Sequence, residues 1–344
     1  MKVRIVCYQD VNQWIIGKIA IKLNEELKKL SIDSAVVSEP DYSADINHHL
    51  LYYDYSGKRT TTDTLMITHI DSLSKINMLK SHFKSAEMGI CMSKGEVDLL
   101  TNTGIERKKL SYVNLAHDGV LKPRELVIGL MTNVYGDHRK REYFLPKLCE
   151  KISPKEFRFV IMGDGWKPII DNITERGFKV EYYDSFNYDS YVNLVPGFDY
   201  YLYFGLDEGS IGFIDALAAG VPTIVTPQGY HLDVPNGLTY PFTTIEELIE
   251  VFEKIAEKKR SLTKSVSTWT WKNYASKHLE IWQYLLGAYR GNILSTNKEY
   301  YDGISSVRFE NHTAKPNIFN KIKAFVYVQK TNTQMRLRMI RKTK

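Results

Sequence analysis

Three carboxylates crowd one short run of this chain. Asp207-Glu208-Gly209 is followed by Ser210-Ile211-Gly212-Phe213-Ile214-Asp215-Ala216-Leu217-Ala218-Ala219-Gly220-Val221-Pro222, then the β-branched Thr223-Ile224-Val225. The aromatic run Tyr200-Tyr201-Leu202-Tyr203-Phe204 precedes it. The pattern predicts a strand, a loop, a helix stopped at Gly-Val-Pro and a second strand. In such a βαβ unit, ligands bind at the loop after the first strand's carboxyl end. The helix start there offers unpaired N–H groups and a positive dipole end, which suit a phosphate. Carboxylates beside it repel a bare anion and accept hydrogen bonds from hydroxyls. Phosphates and hydroxyls together describe a nucleotide sugar.

The elements that must position this run alternate from residue 2 to about 287. The first series reads as strands at 2–8, 34–38, 47–53, 64–68, 87–92 and 110–113, with helices at 14–30, 73–84 and 94–103. A second series starts at Leu126-Val127-Ile128-Gly129-Leu130 and continues with strands at 157–162, 179–183, 199–204 and 222–225. Alternating strands and helices imply parallel sheets covered on both faces. The break between the series holds His117-Asp118-Gly119 and Pro123. The segment Thr268-Trp269-Thr270-Trp271 leads into a helix through Tyr274, His278, Ile281, Trp282 and Leu285, after which the pattern fades into a polar linker.

With 344 residues, about two domains are expected, and 43% hydrophobic and 25% charged residues are ordinary for a chain with a sizeable core. The three cysteines, Cys7, Cys91 and Cys149, are odd in number and far apart, which excludes a disulfide framework and a Cys-x-x-Cys metal site. No run of about 18 apolar residues predicts a membrane span. Of the net charge of +6, residues 311–344 contribute nine Lys or Arg and no Asp or Glu, leaving −3 on the remainder. A mildly acidic body excludes nucleic acid as its partner, and the basic tail needs a partner of its own.

The stretch 207–222 resembles the signature of the retaining GT-B glycosyltransferases of the "glycosyl transferases group 1" family. In that family an acid, seven residues and a second acid precede an Ala-Met-Ala-x-Gly-x-Pro helix end. Asp207 and Asp215 have that spacing, with Glu208 competing for the first position, and both matched acids are Asp rather than Glu. The resemblance covers about residues 1–287. It implies an α/β chain with the GT-B fold: two Rossmann-like domains facing a cleft, plus a basic C-terminal extension. The expected boundaries are 1–122 for an acceptor domain, 123–270 for a nucleotide-sugar domain, 271–287 for a helix crossing back to the N-terminal domain, and 288–344 for linker and tail.

By the same resemblance, Asp207 or Glu208 binds donor-sugar hydroxyls, Asp215 binds the ribose, and Gly209, Ser210 and Ile211 offer backbone N–H groups. The loop Gly163-Asp164-Gly165 faces the donor. From the basic run His138-Arg139-Lys140-Arg141, Lys140 and Arg139 meet the diphosphate, replacing a metal as fixed cations; the family's separate upstream Arg is absent. No Asp-x-Asp is present, and no metal or cofactor is expected. His69, after the run Leu65-Met66-Ile67-Thr68, is expected to reach the reaction centre, and Asp71 and Ser72 to cap the next helix. Gln13 and Gly17 occupy the position of the family's glycine-rich loop, an acceptor or phosphate contact. His48-His49 reads as a strand end.

The implied activity is sugar transfer from a nucleoside-diphosphate sugar to a saccharide or lipid-linked acceptor in polysaccharide biosynthesis, with retention and without a metal. The alternatives are a non-catalytic GT-B binding or scaffold subunit and a sugar-nucleotide epimerase on the same fold. The tail is expected to hold a cytoplasmic protein on the inner face of an anionic membrane. Ile318, Ile322, Phe325 and Val326 fall at helical spacing among its cations.

Overall fold

The computed structural model describes residues 1–12 and 14–288. They form two α/β units, one of Met1–Ala116 with the chain from Trp271 onward, the other of His117–Thr270. Each has its own six-stranded sheet, and every paired strand runs parallel.

The first unit runs β1 (Lys2–Val6), α1 (Trp14–Lys29), β2 (Asp33–Val37), β3 (Ile46–His49), β4 (Thr62–Ile67), α2 (Leu73–His82), β5 (Met88–Cys91), α3 (Lys94–Asn102) and β6 (Leu110–Tyr112). Its strand order is β2-β1-β3-β4-β5-β6. Alternation along the strands sends Val3, Ile5 and Met66 into one core, and Leu65 and Ile67 into another on the opposite face. In α1, Ile16, Ile19, Ala20, Leu23 and Leu27 repeat at helical spacing and fill the first of these cores. The strand expected over 47–53 ends at His49, and Tyr52–Asp54 form a 3-10 turn instead. The turn lets Leu50 and Leu51 join one core while Tyr52 and Tyr55 enter the other, which no straight strand could do.

The second unit runs β7 (Leu126–Met131), α4 (Phe144–Cys149), β8 (Phe157–Met162), α5 (Lys167–Glu175), β9 (Val180–Tyr183), α6 (Tyr188–Leu194), β10 (Tyr200–Tyr203), α7 (Ile211–Ala218), β11 (Thr223–Val225), β12 (Tyr240–Pro241) and α8 (Ile245–Ser265). The order β12-β11-β10-β7-β8-β9 places the unit's first strand beside its fourth. There the connections turn to opposite sides, which opens a crevice at the strands' carboxyl ends. The helix α8 opens with a full capping box between Thr244 and Glu247. Its Leu248, Val251, Phe252 and Ile255 cover one face of the sheet, and Phe213 and Ala216 of α7 cover the other.

The chain then returns as α9 (Trp271–Leu285), whose Trp271, Tyr274, Ala275, Ile281 and Trp282 pack with α1, Val3 and Ile5 in the first unit. Trp282 also donates from its indole N–H to Thr64 Oγ1 on β4, at 3.2 Å. Cys7, Cys91 and Cys149 are buried free thiols.

Candidate active site

In the second unit, a cavity of about 680 Å³ opens at the crevice between the ends of β7 and β10. Met131, Thr132 and Asn133 form its wall from β7, Glu208 to Gly212 its wall from the loop after β10, and Lys140 and Asp215 bring charge to it. Phe186, Tyr188 and Tyr230 add aromatic surface, with Phe186 and Tyr188 each 67% exposed.

The basic run 138–141 divides its labour. Arg141 is buried and, among the described residues, carries no carboxylate partner. Its guanidinium donates to the carbonyl of Phe204 at 2.6 Å, to that of Thr243 at 2.7 Å and to Thr226 Oγ1 at 2.5 Å. Burial lowers its pKa. Three acceptors on the sheet's carboxyl end thus pin this loop. His138 pairs with Glu142, and Arg139 lies over the Tyr135 ring at 4.2 Å and pairs with Asp137 at 3.2 Å. Lys140 is left to enter the cavity.

Lys140 is not a free cation. Its ammonium pairs with Asp207 and donates to Tyr203 Oη at 2.7 Å. Tyr203 donates in turn to Asp207 at 2.6 Å, and the Gly209 N–H reaches the same carboxylate at 3.2 Å. An ammonium has three donors, so one remains for a ligand. Burial pushes the Asp207 carboxyl up, but the hydrogen bonds from Lys140 and Tyr203 outweigh it and hold the group below its ordinary value. Burial, then Asp207, push Tyr203 upward, so it stays a phenol and a donor.

The Asp207 side chain is 7% exposed and faces Lys140, and it is not among the residues lining the cavity. Glu208, exposed and on the cavity wall, takes the outward position. Asp215 lines the cavity one turn along α7 and accepts a 2.5 Å hydrogen bond from Tyr191 through Oδ2. Burial, then Asp215, raise the Tyr191 pKa, which keeps it the donor. Among the described residues Asp215 Oδ1 has no partner.

The start of α7 is also partly spoken for. The Ser210 N–H donates to His231 Nε2 at 2.9 Å, and the Gly209 N–H is turned to Asp207, so neither is offered as expected. Among the described residues, the N–H groups of Ile211 and Gly212 donate to nothing in the protein. Gly212 also lets Tyr201 approach, because a Cβ there would lie 2.4 Å from the Tyr201 hydroxyl.

Gly163 lines the cavity at φ 143, with the Thr132 carbonyl where a side chain would begin. Asp164 and Gly165 build the turn rather than the wall. The Asp164 N–H donates to Asn133 Oδ1 at 2.9 Å, and the Asp164 carboxylate accepts from the Gly165 N–H at 2.7 Å. Arg139, Asp164 and Gly165 are absent from the cavity lining.

The remaining expected residues belong to the first unit. His69 is exposed beyond β4 in a left-handed conformation, φ 53, and its carbonyl accepts from Lys75 at 2.8 Å. Ser72 stands at the N-cap position of α2 without a capping hydrogen bond, and Asp71 pairs with Lys75 instead. Gly17 packs α1 against the preceding loop, with the Val11 carbonyl 1.9 Å from where a Cβ would sit. His48 and His49 are buried in β3. Gln13 and the tail 311–344 lie outside the described residues.

Tyr203, Tyr191, Tyr201 and His231 went unread as site residues. Period-2 alternation in the aromatic strand would have put Tyr201 and Tyr203 on one face, opposite Leu202 and Phe204. No local pattern marks Tyr191 or His231.

No protein-family model matches the sequence, and no curated protein does. Among solved structures, the chain resembles the lipopolysaccharide outer core galactosyltransferase WaaB in its apo form, at 13% identity and a TM-score of 0.34, over 83% of this chain and 99% of that one. HepE of Anabaena in complex with UDP-glucose gives 12%, 0.33, 83% and 95%. UDP-GlcNAc 2-epimerase from Neisseria meningitidis bound to UDP-GlcNAc gives 12%, 0.31, 83% and 100%.

Proposed function

We propose that this chain transfers a sugar from a nucleoside-diphosphate sugar to a hydroxyl of a saccharide or lipid-linked acceptor. One observation carries the reading. A single cavity at the crevice of the second sheet holds a lysine donor, two free helix-start N–H groups and two outward carboxylates. The Lys140 N–H and the amides of Ile211 and Gly212 suit the diphosphate, which gains negative charge as it leaves; fixed donors there stabilise the transition state. Asp215 Oδ1 and Glu208 suit sugar hydroxyls, and Phe186 and Tyr188 offer flat faces to a base. Retention, with the leaving phosphate assisting the incoming hydroxyl, and independence of a metal belong to the same reading. So does attachment of the basic tail 311–344 to the inner face of an anionic membrane.

The test is a heat-shift screen with UDP-, GDP-, ADP- and dTDP-sugars, followed by assay of the donor that stabilises. Nucleoside diphosphate released in proportion to a saccharide acceptor supports transfer. An isomerised donor with no acceptor would mark an epimerase, and binding without turnover a binding subunit.

A further inference from the structure

Two loops after neighbouring strands are laced together beside the cavity. The Thr226 N–H donates to the Tyr203 carbonyl at 3.1 Å, Gln228 Nε2 to that of Gly205 at 2.6 Å, and the Tyr230 N–H to that of Glu208 at 3.1 Å. Gly229, at φ 50, allows this, since a Cβ there would fall 2.0 Å from the Glu208 carbonyl. The lacing ends at His231, which is wholly buried. Its Nδ1 lies 2.9 Å from the Thr226 carbonyl and its Nε2 2.9 Å from the Ser210 nitrogen. A carbonyl only accepts and a backbone N–H only donates, so the ring must be neutral, with its proton on Nδ1. Ser210 is the N-cap of α7, and its Oγ is held at 2.6 Å by Tyr201.

We propose that His231 is a positioning residue for the donor cavity: in its neutral form it fixes the start of α7, and protonation at Nε2 releases it. The inference rests on the nucleotide-sugar reading of that cavity. A proton on Nε2 would set an N–H against the Ser210 N–H, and the helix start must then move away. That displaces the Ile211 and Gly212 amides, which a diphosphate would meet. The ring is enclosed by Phe213 of α7 at 4.3 Å, Tyr230 at 5.5 Å and Tyr203 of β10 at 5.7 Å. Asp207 is the charged group that acts on it, favouring the proton, with Lys140 bound to that carboxylate. Burial outweighs Asp207 and the Thr226 carbonyl and lowers the His231 pKa. The neutral arrangement is therefore complete above the ordinary histidine value, about 6.5, and is lost as pH falls through the lower folded value.

The experiment measures the affinity of the full chain for UDP-glucose and GDP-mannose between pH 7.5 and 5, in wild type, His231→Gln and His231→Leu. A sugar-blocked diphosphate has no proton that titrates in this window, unlike the free diphosphate. Wild type should bind steadily near neutrality and weaken toward pH 5, by at most about tenfold once the ring is fully protonated, the size of one lost hydrogen bond. His231→Gln keeps an acceptor near Ser210 that cannot titrate, and should flatten that fall. His231→Leu should bind about tenfold more weakly at pH 7.5. Nitrogen NMR of wild type should find Nε2 bare and Nδ1 protonated at neutral pH, independently of whether either variant folds. An Nε2-protonated ring, an unchanged acid fall in His231→Gln, or full affinity in His231→Leu would overturn the role of His231 and leave the donor reading standing. Failure of wild type to bind any nucleotide sugar by heat shift would remove both.

Discussion

Asp207 and Glu208 are neighbours with opposite surroundings, and the difference decides what each can do. Asp207 closes a triad with Lys140 and Tyr203, whereas Glu208 looks outward. Removing one member of a half-buried pair leaves the other charge without its charge-assisted hydrogen bonds, at a cost of about 1.5–3 kcal/mol. Asp207→Ala should therefore lower the melting temperature clearly, and Glu208→Ala should leave it unchanged while weakening donor binding. The depressed carboxyl of Asp207 adds stability that is complete above its unfolded value, about pH 4, and is lost as pH falls through the folded one. The melting-temperature gap between wild type and Asp207→Asn should thus narrow in acid. Asp215→Ala should weaken donor binding about tenfold or more, as expected when a hydrogen bond to a charged group is lost. Lys140→Ala should lower turnover roughly a hundredfold, and activity should survive EDTA. At this scale the spacing of Asp207 and Asp215 was legible in the sequence, but which neighbouring carboxylate faces the cavity was not. That choice depends on Lys140, which arrives from 67 residues away along the chain.

The start of α7 shows how an element can invert an ordinary propensity. Replacing a helix glycine with alanine commonly stabilises a helix by up to about 1 kcal/mol. At Gly212 the new Cβ would strike the Tyr201 hydroxyl, which holds Ser210. Gly212→Ala should therefore destabilise the second unit and weaken donor binding; a raised melting temperature with unchanged binding would contradict the packing described. The strands β7, from Leu126, and β8, over 157–162, were legible because β7 is a continuous apolar run and β8 is one but for Arg158, and both are buried along most of their length. The turn at Tyr52–Asp54 was not, since the run Leu50-Leu51-Tyr52-Tyr53 reads as a continuing strand and only the two cores on either side make it turn. The loop lacing at His231 was equally hidden, because backbone groups supply most of its bonds.

At the scale of the whole chain, the alternation of strands and helices announced parallel sheets, and two six-stranded parallel sheets are present. The strand orders were not readable, since pairing is set by crossovers rather than by local pattern. The return of α9 to the first unit was expected only through the family resemblance; in the structure its aromatic face is covered by the core of that unit. Truncation after residue 270 should uncover Val3, Ile5 and α1 and unfold the first unit. Full chain should sediment with anionic vesicles at low salt and come free at high salt, and a form lacking 311–344 should not sediment. Equal sedimentation of the truncated form would remove the tail as the anchor. The central claim is that the cavity of the second unit binds a nucleotide sugar, and titration calorimetry of the donor found by the heat-shift screen tests it most directly. Wild type should bind it at one site, and Asp215→Ala about tenfold more weakly. Full affinity in both Asp215→Ala and Lys140→Ala would contradict the claim.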